Sequence, residues 1–181
     1  MLAGLDAATT SGLALMAGGK IVRAEAFKAT GETDAEIFSS FRRWFRATLR
    51  DNGVTNLAIE QPLVTDIRAP DTRKGAQPGE THNPVTMKTY LRLYGLRAHA
   101  IQIADALDIA WIEVHQSSWR KSFTGNGRAT KDDTLALARR IVPGLKSKDA
   151  AEAIGIVWHL SGVLKQAAMA RPDDLFAGRA A

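Results

Sequence analysis

The stretch Leu2 to Leu15, Leu-Ala-Gly-Leu-Asp-Ala-Ala-Thr-Thr-Ser-Gly-Leu-Ala-Leu, constrains the chain more than any other. An apolar run ends on Asp6, turns through Ala7 to Gly12 and resumes at Leu13. That pattern reads as a strand buried in the middle of a sheet, followed by a second strand. Asp6 is then a carboxylate at the lip of a core. Its charge bears a desolvation cost there, which a bound cation or a positive neighbour offsets.

Ala17-Gly18-Gly19 joins Leu13 to Met16 with Lys20 to Phe27, a hairpin signal, so the first three strands form an antiparallel meander. Asp34 is placed to cap a helix running to about Arg50. Ile37, Phe41, Trp44, Phe45 and Leu49 share its core face, which turns Arg42, Arg43, Arg46 and Arg50 toward solvent. After Asn52-Gly53, Val54 to Glu60 is a strand closing on Glu60-Gln61-Pro62, and it brings a second acid to the end of a buried run. Leu63 to Asn83 is polar and too long for an ordinary connection, a mark of function or disorder. Arg68, Arg73, Lys74 and His82 lie in it, nearly balanced by Asp66, Asp71 and Glu80.

Pro84 opens a helix to about Leu107, with Leu93, Leu96 or Arg97, Ala100, Ile101 and Ala104 supplying its small-residue apolar stripe. Ala110 to Val114 is a short strand, and Thr124-Gly125-Asn126-Gly127 a flexible turn. Thr130 caps a helix from Lys131 to about Val142, stopped by Pro143-Gly144. The last helix spans about Ser147 to Ala170. Asp149 and Glu152, three apart, project from one side of its first turn. Acids there are expected for dipole reasons alone, but that does not explain why they would join Asp6 and Glu60. Residues 1–170 are expected to form one domain, with 171–181 a flexible tail.

With 181 residues the chain has room for one substantial core. The absence of cysteine excludes disulfides and thiolate metal sites. No apolar run approaches the roughly 20 residues that span a bilayer, and no charged and apolar leader opens the chain, so a cytoplasmic location without membrane contact is expected. A net charge of +5 and a pI near 9.7 favour a polyanionic partner. Gln116 to Lys131 carries Arg120, Lys121, Arg128 and Lys131 without an acid, interleaved with Trp119 and Phe123. These aromatics could stack on exposed bases, but Trp119 is read first as core.

Together, Leu5-Asp6 with the Thr10-Ser11-Gly12 turn, Ala58-Ile59-Glu60-Gln61, Gly127-Arg128-Ala129-Thr130-Lys131 and Lys148-Asp149-Ala150-Ala151-Glu152-Ala153-Ile154-Gly155 carry a resemblance. Over about Leu2 to Leu164 the chain resembles the RuvC-type Holliday-junction resolvases of the ribonuclease H-like superfamily. The resemblance implies an α/β fold: a mixed five-stranded sheet, a three-stranded antiparallel meander plus two parallel strands, with helices on both faces. It implies a four-carboxylate site of Asp6, Glu60, Asp149 and Glu152 holding two Mg²⁺, for which Mn²⁺ substitutes. Two hard cations about 3.5 to 4 Å apart serve the entering and leaving oxygens of phosphodiester hydrolysis. Asp6 would bridge them, Glu60 and Asp149 would take one each, and Glu152 would be terminal or water-mediated.

By the same resemblance Lys131 lies near the scissile strand and Lys148 beside the site. Arg120, Lys121 and Arg128, with Arg68, Arg73 and Lys74, would track the DNA backbone. Leu63 holds the neighbourhood of a residue that wedges into the junction. Two departures stand out: the last acid is commonly Asp in such sequences, and the segment after Glu60 is longer. The substrate implied is branched DNA, above all the four-way junction, cut symmetrically by a homodimer with the helix from Pro84 at its interface. No motif identifies a helicase partner. Three other readings stay open: a sugar kinase of the actin-like type, from the Asp6 to Gly12 turn; a hybrid or RNA-processing nuclease of the same fold; and a non-catalytic DNA-binding module.

Overall fold

The computed structural model describes residues 1–62 and 87–169. Leu63, Arg68, Arg73, Lys74, the rest of the long segment, the helix start expected at Pro84 and the expected C-terminal tail lie outside the described residues. The chain runs β1 (Leu2–Asp6), β2 (Thr10–Ala17), β3 (Lys20–Lys28), α1 (Asp34–Asp51), β4 (Asn56–Glu60), α2 (Met87–Asp105), β5 (Ala110–Val114), α3 (Gln116–Thr124), α4 (Lys131–Ile141) and α5 (Lys148–Met169). The five strands form one mixed sheet in the order β3-β2-β1-β4-β5. β1, β2 and β3 pair antiparallel, whereas β1 with β4 and β4 with β5 pair parallel. This is the mixed five-stranded sheet expected from the sequence, a three-stranded antiparallel meander plus two parallel strands.

Side chains alternate across the central strands, as a pleated sheet covered on both faces requires. Leu5, Leu13, Leu15, Leu57 and Ile59 pack under α1 and α2 with Phe41, Phe45, Leu49 and Leu96. Ala14 and Met16 turn the other way, toward Leu135 of α4 and Ile154 and Val157 of α5. Ala58 and Val114 meet Trp119 and Ile156 on that second face. α5 lies directly on β1 and β2 because Gly4 and Gly12 have no side chain to hold it off. A Cβ on Gly4 would stand 2.5 Å from the Val157 nitrogen, and one on Gly12 1.9 Å from the Asp149 carbonyl oxygen.

The structure corrects several expectations. β2 begins at Thr10, not Leu13, since the turn is closed early by Ser11, whose hydroxyl donates to the Ala8 carbonyl at 2.6 Å. α1 is capped by Thr33, not Asp34: Thr33 and Glu36 form a reciprocal capping box, and Asp34 pairs with Arg92. Three helices follow β5 instead of two, because Gln116–Thr124 is helical with His115 as its N-cap. Phe123 is buried in that helix and packs on the core, so it is not a free stacking platform. Among the described residues no helix is long and apolar enough to cross a membrane.

Candidate active site

β1 and β4 are parallel neighbours, so their C-terminal residues, Asp6 and Glu60, come to the same end of the sheet. Asp6 is also in register with Gly12. The close approach at Gly12 therefore seats the first turn of α5, and with it Asp149, against the Asp6 strand end. Asp6, Asp149 and Glu152 each offer a carboxylate oxygen within 4.8 Å of the others. Glu152, the acid that departs from the expected Asp, is only 2% exposed. The extra methylene leaves it fully within the cluster.

Glu60 stands beside this trio and is held by α3. Its two carboxylate oxygens accept from Gln116 Nε2 at 3.1 Å and from Trp119 Nε1 at 3.0 Å. Arg120, the next residue, donates to Glu152 at 2.6 Å, and its guanidinium lies 5.3 Å from the Trp119 ring centre. Arg120 is thus a partner of the acids and not a freely exposed tracker of DNA backbone; its Nε is buried with no hydrogen-bond partner among the described residues. Lys131 opens α4 and reaches Glu152 at 2.5 Å and Asp149 at 3.2 Å. Lys148 turns aside to pair with Asp132 at 2.7 Å. Lys121 and Arg128 are exposed and make no ion pair among the described residues.

Sequence reasoning missed this role of α3. The signal was present, since Gln116, Trp119, Arg120 and Phe123 fall at i, i+3, i+4 and i+7, one face of a helix.

The electrostatics follow from crowding. Burial, then repulsion from Glu60 and Glu152, holds the Asp6 carboxyl well above the ordinary aspartate range, against the pull of Lys131. Burial and the Glu152 charge push Glu60 up to about 7, although hydrogen bonds from Trp119 and Gln116 and the Arg120 charge favour its ionised form. Burial works against the Lys131 ammonium, but the hydrogen bond and charge of Glu152, with Asp6 and Asp149, outweigh it and raise its pKa. Four acids thus share two cations, and two of the acids resist ionisation. An all-oxygen donor set that is short of positive charge fits a hard divalent cation such as Mg²⁺ or Mn²⁺.

No protein-family model and no curated protein matches the chain. Solved structures do. Thermus thermophilus RuvC superposes with a TM-score of 0.66 at 13% identity, covering 92% of this chain and 96% of that one. The chain has the RuvC fold. A second structure, T. thermophilus RuvC in complex with Holliday junction substrate, gives a TM-score of 0.69 at 13% identity, with 91% and 94% covered. The yeast mitochondrial Holliday junction resolvase gives 0.59 at 12%, with 94% and 81% covered. In this RuvC-type fold the four acids, Arg120 and Lys131 gather at one end of the sheet.

Proposed function

We propose that this chain is a metal-dependent endodeoxyribonuclease that cuts four-way junctions or other branched DNA, folded as one domain over residues 1–170. The observation that carries the reading is the convergence of Asp6, Glu60, Asp149 and Glu152 at one end of a RuvC-type sheet, in a pocket where Asp6 and Glu60 resist ionisation. Buried acids that served no cation would only cost stability.

Asp6, Glu60, Asp149 and Glu152 would hold two Mg²⁺, or Mn²⁺ in their place. Bound there, such ions acidify water and neutralise charge on the phosphate oxygens. Gln116 and Trp119 fix the rotamer of Glu60, and Arg120 fixes Glu152, so both carboxylates are oriented in advance. Lys131 is half-exposed at the mouth of the cluster, where its ammonium can pass from Glu152 to a phosphate oxygen of the substrate. Lys121 and Arg128, both exposed, would follow the backbone, with Lys148, Arg68, Arg73 and Lys74 as further candidates and Leu63 as the junction wedge.

Symmetric cutting needs two sites and hence a homodimer. Met87, Leu91 and Tyr94 support it: they recur at i, i+4 and i+7 on α2 and are 56%, 65% and 38% exposed.

The test is cleavage of an immobile four-way junction, an RNA:DNA hybrid and linear duplex at equal concentration, with Mg²⁺ and with EDTA. The reading predicts paired symmetric nicks in the junction, abolished by EDTA and by Asp6→Asn while Asp6→Asn still binds. Preferential cutting of the hybrid would overturn the substrate, and no cutting at all would overturn the nuclease.

A further inference from the structure

The face of α1 that points away from the core carries a second basic site. Ser39, Arg42, Arg43 and Arg46 recur at i, i+3, i+4 and i+7, one side of the helix. Together with Ile103 of α2 they line a groove of about 290 Å³. The three arginines are exposed, and none makes a hydrogen bond or ion pair through its side chain among the described residues. The nearby acids are already engaged. Asp34 pairs with Arg92, Asp51 with Arg50, and Asp105 of α2 accepts from the Trp111 indole. Glu36 borders the adjoining hollow beside Ser39 and Arg43, but its carboxylate is bound by the Glu32 and Thr33 backbone amides. Three guanidiniums within two helical turns repel one another with no ion pair among the described residues to offset them, and an anion in the groove would lower that cost.

The groove is placed to meet DNA outside the carboxylate site. β3 runs parallel to β1 through their shared antiparallel partner, so α1 starts at the carboxylate end of the sheet; the Ala29 amide donates to the Thr9 carbonyl there. α1 then descends on the face opposite α5, and Arg46 lies about 18 Å down from Asp34. A duplex rises about 34 Å per turn, so an arm leaving the carboxylate end along this flank meets the arginines within its first turn.

We infer that Ser39, Arg42, Arg43 and Arg46 form a phosphodiester-backbone site that holds a duplex arm away from the scissile phosphate. The inference rests on the branched-DNA reading for its substrate, but the charge argument calls for a polyanion in any case. Arginine forks suit phosphate oxygens bidentately, and contacts of this kind position DNA without reading its sequence.

The experiment compares wild type with the R42Q/R43Q/R46Q variant on junctions with long and with very short arms and on linear duplex, across a salt series. Each lost phosphate contact lowers the log–log salt slope by about one. The site predicts a slope shallower by two to three for the variant on long-armed junction and linear duplex, with at least a tenfold weaker affinity at low salt. Binding and cleavage of the short-armed junction should stay at wild-type levels, which also reports that the variant is folded. An unchanged slope on linear duplex, with junction cleavage intact, overturns the groove and leaves the nuclease reading standing. A reduced slope in a protein whose wild type cuts nothing keeps the groove and overturns the nuclease. Loss of affinity for polyglutamate with no change for duplex assigns the groove to an acidic protein and overturns the inference.

Discussion

Trp119 serves the core and the site at once. Its ring is fully buried against Gly155, whose missing side chain leaves the space, and its indole nitrogen donates to Glu60. Trp119→Phe keeps an aromatic ring in place and removes that donor; Gln116→Met removes the other without touching the core. Loss of a partner that orients a metal-ligating carboxylate costs about 10- to 100-fold in metal affinity or activity. Both variants should therefore weaken Mn²⁺ affinity, measured calorimetrically, by at least tenfold. Wild-type affinity in both would show that α3 does not orient Glu60. The four acids were legible in the sequence because each has a local signature: Asp6 and Glu60 end apolar runs, and Asp149 and Glu152 lie one helical turn apart. Arg120 was not legible in the same way. Its position in a basic run suggested an exposed DNA contact, and only the packing of α3 turns it onto Glu152.

At the scale of elements, the site depends on how closely α5 approaches β1 and β2. A methyl on Gly12 would fall 1.9 Å and 2.4 Å from the carbonyl oxygen and carbon of Asp149, backbone atoms that cannot rotate aside. Gly12→Ala must push the first turn of α5 outward and carry Asp149 away from Asp6. Overpacking of this kind costs about 1–3 kcal/mol or more. Denaturant unfolding should show that loss together with loss of cleavage. Gly162→Ala, in the same helix but facing open space, should be neutral or stabilising by up to about 1 kcal/mol.

The strands and four of the five helices could be read from periodicity and turn residues. α3 was missed although Gln116, Trp119, Arg120 and Phe123 share a helical spacing, because over nine residues that spacing runs through only about two turns and the basic run drew the reading toward an exposed DNA contact. The cap of α1 was misplaced by one residue, since Thr33 and Asp34 are both good capping types and only the reciprocal bond to Glu36 separates them.

For the molecule as a whole, the acid cluster is a local cost to stability. Glu60 titrates at about 7 when folded, against an ordinary glutamate value of 4.5. The folded chain thus keeps a proton that the unfolded chain releases. Stability from this group is present below about pH 4.5 and is lost as pH rises through 7. Asp6 acts with the same sign. His159, lowered by burial, acts with the opposite sign, and the depressed carboxyls of Glu36 and Asp133 act only at lower pH. Glu60→Gln should accordingly be more stable than wild type at pH 8 in EDTA, by a margin that shrinks as pH falls to 5. The antiparallel meander was legible from its hairpin signal and the mixed sheet from the order of strands and crossover helices, whereas the strand order β3-β2-β1-β4-β5 is known only from the structure. The net charge balance inside the cluster was not, because burial decides it.

The most direct test is the thermal midpoint of the wild-type chain at pH 8, titrated with Mg²⁺ from an EDTA-treated start. A cation that binds only the folded cluster must raise the midpoint with the logarithm of its concentration once the site fills. The account predicts that rise, and predicts that Asp6→Asn abolishes most of it. A midpoint that does not respond to Mg²⁺ or Mn²⁺ would mean that Arg120 and Lys131 already satisfy the four acids, and would contradict the metal site at the centre of the account.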